Sequence, residues 1–161
     1  WTFLCERPDQ LLDEGYPYGG FTPDAFYSDN APVVLGDRTI RTILTPGHTP
    51  GTTSFFFEVE EQGQRHLVGL HGGIGVNTLT DDWLRDHRLP VSLRDDYLAS
   101  LRRLRDMPVA ITLGSHPAQV AMMDRVDSIR DGHNPFLDPA VWPRLMDTRI
   151  GMITRIMDGA A

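Results

Sequence analysis

The sequence has little cysteine, and the features it lacks exclude several classes of protein. Its single cysteine, Cys5, excludes an internal disulfide, and the paired-cysteine spacing of a zinc finger is absent. No apolar run approaches the ~18 residues that a membrane-spanning helix needs. We therefore expect neither a disulfide-bonded scaffold nor a protein that crosses or binds a membrane.

The sequence also has no block of lysines, since all 15 of its Lys and Arg residues are arginine. The formal net charge is −7, and the acidic residues are spread along the chain. The dense basic run Arg102 to Arg105 is short and has Asp95, Asp96 and Asp106 nearby. Such a run is typical of a solvated helix face, so we expect no nucleic-acid partner.

The composition is that of a soluble globular protein, with 40% apolar and 23% charged residues. Its 161 residues predict one domain, or one large part of a domain, with a buried core. The chain opens on Trp1 without a signal-like start, so we expect it to begin partway through a gene product. Composition leaves the compartment open between the cytoplasm and a secreted or periplasmic location.

The first half of the chain predicts mainly strands. Residues 1–32 predict loop, with a short helix near Asp9 to Glu14. Two β segments are expected in residues 32–44 around the Gly36-Asp37 turn, and a hairpin in residues 54–70 with its turn near Gly63. Three consecutive phenylalanines in the first arm of this hairpin indicate burial on both faces.

The second half predicts helices around one short strand. Ser92 is a candidate N-cap with Asp95 at capping-box spacing, followed by an apolar stripe that begins at Tyr97. A buried strand is expected at residues 109–114, a further helix at 118–130, and a C-terminal amphipathic helix at 137–158. Because strands and helices alternate without a linker, the sequence predicts a mixed α/β layered fold.

Two histidines share one local context. His48 lies in the segment TPGHTPG and His116 in LGSHP, and each follows a β segment beside glycine and proline. Loops at strand ends are where α/β folds place reactive groups, and imidazole is a common zinc ligand. Both histidines are therefore candidate metal ligands, although a structural role for each is the alternative.

A third histidine, His71, begins the glycine-rich loop HGGIGVNTL. The glycines allow a close backbone approach to substrate, metal or another loop, and we leave a structural role for His71 open beside a functional one. The other three histidines are expected at the surface or in local hydrogen bonds. No cysteine or serine has the context of a catalytic nucleophile, so the sequence assigns no catalytic residue.

The segment TPGHTPGTTSFFF, residues 45–57, closely resembles a metal-binding motif of the metallo-β-lactamase superfamily. LGSHP is similar to the last metal-ligand loop of that family, and LGDRTIRTIL to its preceding strand pair. The resemblance covers most of residues 30–120. It implies part of a four-layer αββα sandwich, specifically the C-terminal half.

The resemblance implies that His48 binds the first and His116 the second of two zinc ions in the intact protein. It also makes His71 and Asn77 candidate contacts to metal or substrate. Two features depart from the family. The H-x-H-x-D-H motif is absent from this sequence, and Leu70-His71-Gly72 stands where many members have a metal-bridging aspartate. We therefore expect the N-terminal half to be missing.

By the same resemblance, the intact protein is a zinc-dependent hydrolase in which zinc-bound hydroxide attacks a carbonyl-type small-molecule substrate such as a β-lactam. The fragment is expected to bind zinc weakly or not at all, and to be inactive. The alternative is a non-catalytic truncated or degenerate relative that acts as a packing or partner-binding module. In either case the face left by the missing half is expected to permit self-association.

Overall fold

The computed structural model describes residues 24–26, 28–29, 31–129 and 132–159. The helix expected near Asp9 to Glu14 lies outside the described residues. The elements of the described part are β1 (Val33–Leu35), β2 (Arg38–Leu44), β3 (Thr53–Glu61), β4 (Gln64–Leu70), a 3₁₀ turn (Asn77–Leu79), α1 (Asp81–Asp86), α2 (Leu93–Arg105), β5 (Ile111–Leu113), a second 3₁₀ turn (Pro117–Val120), α3 (Met122–Val126) and α4 (Val141–Met157).

The five strands form one sheet in the order β1-β2-β3-β4-β5. The first four strands pair antiparallel, and β5 pairs parallel to β4. The turn between β3 and β4 contains Gln62 and Gly63, both at positive φ. A two-residue hairpin turn needs positive φ at both positions for its twist to match that of the strands. Both predicted strand pairs are therefore confirmed, and parallel pairing of β5 follows from the helical crossover through α1 and α2.

Helices α2 and α4 cover one face of the sheet. Phe56 is 1% exposed and meets the Trp142 ring edge-on at 5.6 Å between centroids. Trp142 also donates its indole N–H to Leu104 O at 2.8 Å, which joins the two helices. A Cβ on Gly69 would lie 3.1 Å from the Trp142 ring, so the small residue lets α4 approach the sheet.

The described residues cover the other face of the sheet less, and we call it the open face. Strand alternation and pairing place several apolar residues of β1, β2 and β3 on it. Four of them that are half-buried or exposed in the described structure are Val33, Leu35, Ile40 and Phe57. The run of three phenylalanines thus has Phe56 in the helix-covered core and its neighbours on the opposite face.

Several predicted helix boundaries differ from the structure. Ser92 is the N-cap of α2, but its side chain makes no capping hydrogen bond, so the expected capping box is wrong. The helix expected at 118–130 is interrupted at Ala121, whose φ of 49° separates the second 3₁₀ turn from the short α3. Helix α1, which the sequence did not predict, follows the glycine loop with Thr80 as its N-cap.

The C-terminal helix begins at Val141 rather than at residue 137. Pro143 lies in the first turn, where backbone N–H groups have no partner within the helix, so it does not interrupt α4. Trp142, Met146 and Ile153 form its buried stripe, as the apolar periodicity predicted. Among the described helices, none combines the length and apolar character needed to cross a bilayer.

Candidate metal centre

The sheet topology brings three histidine loops to one edge. Strands β2, β4 and β5 run in the same direction, because the antiparallel β3 lies between β2 and β4 and because β5 is parallel to β4. Their carboxyl ends therefore lie at the same edge of the sheet. His48 follows β2, His71 follows β4 directly, and His116 follows β5.

The His48 ring is half-buried and held through one nitrogen. Its Nδ1 lies 2.9 Å from Gly75 O and 3.0 Å from Thr78 Oγ1. A carbonyl oxygen only accepts, so Nδ1 is the protonated nitrogen and donates to Gly75 O. In the neutral ring Nε2 then has a free lone pair, which is the arrangement of a metal-binding imidazole.

The glycine loop packs directly on the His48 ring. A Cβ on Gly73 would lie 2.5 Å from His48 Cδ2, and one on Gly75 would lie 3.3 Å from His48 Cε1. Neither position has room for a side chain unless the imidazole moves. The two glycines therefore allow a close approach of backbone to His48, which is one of the roles that the glycine-rich sequence left open.

His71 is buried, with 1% of its surface exposed. Gly73 N–H donates to His71 Nδ1 at 3.2 Å, so the proton of the neutral ring is on Nε2. Among the described residues, Nε2 has no hydrogen-bond partner. Burial, and secondarily the charge of His48, lowers the pKa of His71 to about 4. In this tautomer His71 presents an N–H group rather than a lone pair.

His116 and Asn77 lie at the exposed side of the candidate centre. Burial lowers the pKa of His48, and the positive charge of His116 lowers it further, while the Gly75 hydrogen bond raises it. The electrostatic effect requires the two rings to lie in the same region. Asn77 flanks the glycine loop, since a Cβ on Gly75 would lie 2.6 Å from Asn77 Oδ1.

Tyr97 on α2 contacts both loops of the centre. Its backbone and side chain occupy the space beside Gly47, where a Cβ would lie 2.4 Å from Tyr97 Cβ. Its hydroxyl donates to Ile74 O at 2.7 Å, and its ring meets the His71 ring edge-on at 6.5 Å. Burial raises the pKa of Tyr97 well above its usual range, so the hydroxyl remains a donor.

Two more side chains of α2 bind backbone oxygens of the same loops. Ser100 donates to Pro46 O at 2.8 Å, and the buried Arg94 donates through Nε to Leu79 O at 2.8 Å. The sequence predicted the helix but not these contacts, because its pattern includes Tyr97 only as part of an apolar stripe. The one signal that could have found them is the spacing of Arg94, Tyr97 and Ser100, which places all three on one helix face.

The described residues fit a metal ligand at His48 but do not complete a metal site. Within the described part of the chain, no group of three or more His, Cys, Asp or Glu side chains could hold a metal ion. A catalytic zinc site normally has three protein ligands and a structural site four. His48 and His116 are therefore at most a partial ligand set.

Several solved structures share this fold. A Y228A mutant of the metallo-β-lactamase FEZ-1 from Legionella gormanii superposes with a TM-score of 0.85 at 24% identity, covering 99% of this chain and 62% of that one. BJP-1, a subclass B3 metallo-β-lactamase of Bradyrhizobium japonicum, gives a TM-score of 0.80 at 22% identity, with 92% and 56% covered. A β-lactamase from Chitinophaga pinensis gives 0.75 at 20% identity, with 98% and 60% covered.

The chain therefore has part of the metallo-β-lactamase fold, as the resemblance of its histidine motifs implied. It spans 56 to 62% of the length of these solved structures. No protein-family model and no curated protein sequence matches it. At 20 to 24% identity the structural similarity shows the fold alone.

Proposed function

We propose that this chain is part of a zinc-dependent hydrolase of the metallo-β-lactamase type. The observation that supports the proposal most directly is the state of His48. Its Nδ1 donates to Gly75 O and leaves Nε2 free, on an edge of the sheet that also has the His116 loop. The fold in which this occurs is that of proteins named metallo-β-lactamases.

In this proposal His48 and His116 hold metal, and neither moves a proton. Zinc, when bound, lowers the pKa of water to about 7 and so supplies a nucleophile at neutral pH. His48 contributes a preset lone pair, and the glycine loop holds its ring in place. Asn77 is exposed beside that loop and can contact a carbonyl-type substrate such as a β-lactam.

His71 stays a candidate contact, with a restriction that follows from its burial. At 1% exposure it offers no surface to a substrate, and its Nδ1 is already engaged by Gly73. Zinc ligation would require Nε2 to lose its proton or the Gly73 bond to break. We therefore favour a role for His71 in holding the loop rather than in binding metal or substrate.

The chain by itself is proposed to be inactive as a hydrolase. Two histidines are fewer than the three ligands of a catalytic zinc site, and the described residues contain no fuller set. The remaining ligands of an intact enzyme would come from outside the described residues. Zinc binding by the chain is accordingly expected to be weak.

The test combines zinc binding with hydrolysis. Zinc bound per chain is measured for the wild type, His48→Ala and His116→Ala, with exposed His133→Ala as the matched control. We expect weak binding that both site variants lose and the control keeps; equal binding in all four proteins contradicts the proposed metal centre. Nitrocefin turnover that a chelator and His48→Ala abolish would contradict the proposed inactivity of the chain.

The alternative is a non-catalytic module that packs against a second copy of itself, and the open face favours it. Leu35 is 81% exposed and Val33 is 39% exposed at the sheet edge, and both lie on that face. Exposed apolar surface of this kind is typical of interfaces, and an edge strand invites pairing. Self-association and metal binding are separable, because the histidine loops lie at a strand end rather than on this face.

A further inference from the structure

Thr78, in the first 3₁₀ turn, contacts His48 at two points. Its Oγ1 donates to His48 O at 2.6 Å and lies 3.0 Å from His48 Nδ1. The two residues are 30 positions apart in the sequence, and Thr78 is only 7% exposed. A single hydroxyl therefore joins the backbone and the ring of the same histidine.

The directions of these hydrogen bonds follow from the donor inventory. His48 O is a carbonyl oxygen and can only accept, so the Thr78 hydroxyl proton points toward it. The Thr78 oxygen then offers only lone pairs to His48 Nδ1. Two acceptors, Thr78 Oγ1 and Gly75 O, thus require a proton on Nδ1. The neutral ring has one N–H proton, so Nε2 keeps its lone pair.

We propose that Thr78 is the positioning residue that presets His48 for metal binding. The bond to Gly75 O favours a proton on Nδ1, but it ties the ring only to a glycine loop. Thr78 adds a bond between the ring and the histidine's own backbone, which restricts rotation about χ1 and χ2. The assignment of the proton to Nδ1 does not depend on function, whereas the role of Thr78 in metal binding rests on the proposed function. Outer hydrogen bonds of this kind typically change metal affinity by about 10- to 100-fold.

Long-range ¹H–¹⁵N spectra of the histidine rings in the metal-free chain test this proposal. Thr78→Val keeps the shape of the side chain and removes the hydroxyl, while Thr78→Ser retains it. Thr80→Val is the matched control, because Thr80 is exposed, lies in the same segment and caps α1 through Trp83 N–H. It has no hydrogen bond to His48 in the described structure.

We expect the Nδ1–H tautomer of His48 in the wild type, Thr78→Ser and Thr80→Val, and a measurable Nε2–H population in Thr78→Val. A Thr78→Val spectrum identical to that of the wild type overturns the proposal. If Thr78→Val does not fold, the spectra of the wild type and Thr78→Ser test the proposal. An Nε2–H tautomer of His48 in the wild type overturns it, and an Nδ1–H tautomer in both proteins supports it.

Zinc titration of the same proteins, followed on the His48 signals, separates this proposal from the proposed function. We expect about tenfold weaker zinc binding in Thr78→Val, with wild-type binding in Thr78→Ser and Thr80→Val. Absence of zinc binding in the wild type contradicts the proposed metal centre. The tautomer measurement then still tests whether Thr78 positions the His48 ring. Equal zinc binding by Thr78→Val and wild type contradicts the positioning role alone.

Discussion

Position 47, directly before His48, requires glycine for two separate reasons. Its φ of +151° lies in a region that side-chain-bearing residues seldom adopt. The space that a Cβ would occupy is also filled by Tyr97, whose backbone Cα would be 2.6 Å away. Because a backbone atom cannot move aside as a flexible side chain can, substitution must displace either α2 or the His48 loop.

We predict that Gly47→Ala lowers the free energy of unfolding by roughly 3 kcal/mol, combining overpacking with backbone strain. Gly36→Ala is the control, since Gly36 also has positive φ but a Cβ there would have nothing within 4 Å. It should cost about 1 kcal/mol. Urea denaturation compares the two, and equal losses would show that the Tyr97 contact is unimportant.

His71 links the candidate centre to the pH dependence of stability. Its pKa is about 4 in the folded protein against 6.5 for an ordinary histidine, mainly because burial penalises the charged ring. Below pH 6.5 the unfolded chain takes up a proton that the folded protein does not. The contribution of the neutral His71 to the free energy of unfolding is therefore fully present above pH 6.5 and is lost as the pH decreases toward 4.

We predict that this histidine alone removes up to about 3 kcal/mol between pH 6.5 and 4, at about 1.36 kcal/mol per pKa unit. His71→Asn offers an amide oxygen to Gly73 N–H but does not titrate, so its stability should decline less over this interval, whatever its value at neutral pH. Denaturation of both proteins across the pH range, with chelator present, measures the difference. Parallel curves would contradict the assignment, and His133→Asn provides an exposed control.

Helix α2 is the element that joins the loops of the centre. On the face it turns toward them, Arg94, Tyr97 and Ser100 bind backbone oxygens of residues 79, 74 and 46. The Ser100 bond spans 54 positions of sequence. The polar groups of this face therefore fix how the His48 loop lies relative to the glycine loop, while its apolar residues pack in the core.

Ser100 within α2 and Ser92 at its N-cap provide a matched test of the hydrogen bond to the His48 loop. Ser100→Ala leaves Pro46 O without its donor and should lower stability by about 1 kcal/mol. Ser92→Ala should change it by less than about 0.5 kcal/mol, because Ser92 makes no capping hydrogen bond. Faster amide exchange in residues 45–52 is expected only for Ser100→Ala. A loss of about 1 kcal/mol at Ser92 would mean that it caps the helix in solution.

For the whole molecule, the two faces of the sheet differ in what covers them. Helices α2 and α4 bury one face around Phe56 and Trp142. The open face has the apolar side chains of β1, β2 and β3 only half-buried or exposed. Neighbouring residues of β1 point to opposite sides, since Leu35 lies on the open face and Val34 on the other.

We predict concentration-dependent self-association through the open face, measured by light scattering during size-exclusion chromatography. Leu35→Lys places a charge on that face and should shift the chain toward monomer. Val34→Lys is the control, because Val34 is also exposed, at 62%, but points the other way. A monomer at all concentrations, or an equal effect of both substitutions, would contradict association through this face.

The local elements were the predictable part of this protein. The hairpins follow from β-branched and aromatic runs separated by Gly36 and Gly63, and the stripe of α4 follows from apolar spacing. These signals depend on neighbours within a few residues. Helix α1 and the break at Ala121 were missed because their segments are short and have weak periodicity.

By itself, the sequence determined the strands, the main helices and the two histidine motifs that led to the metallo-β-lactamase fold. The tertiary structure decided that His71 is buried, that Nδ1 of His48 bears the proton, and that α2 holds the loops together. The physical reason is the separation along the sequence over which each kind of interaction acts. Backbone preference and periodicity act between near neighbours, whereas the hydroxyl of Thr78 reaches His48 only after the chain has folded across 30 residues.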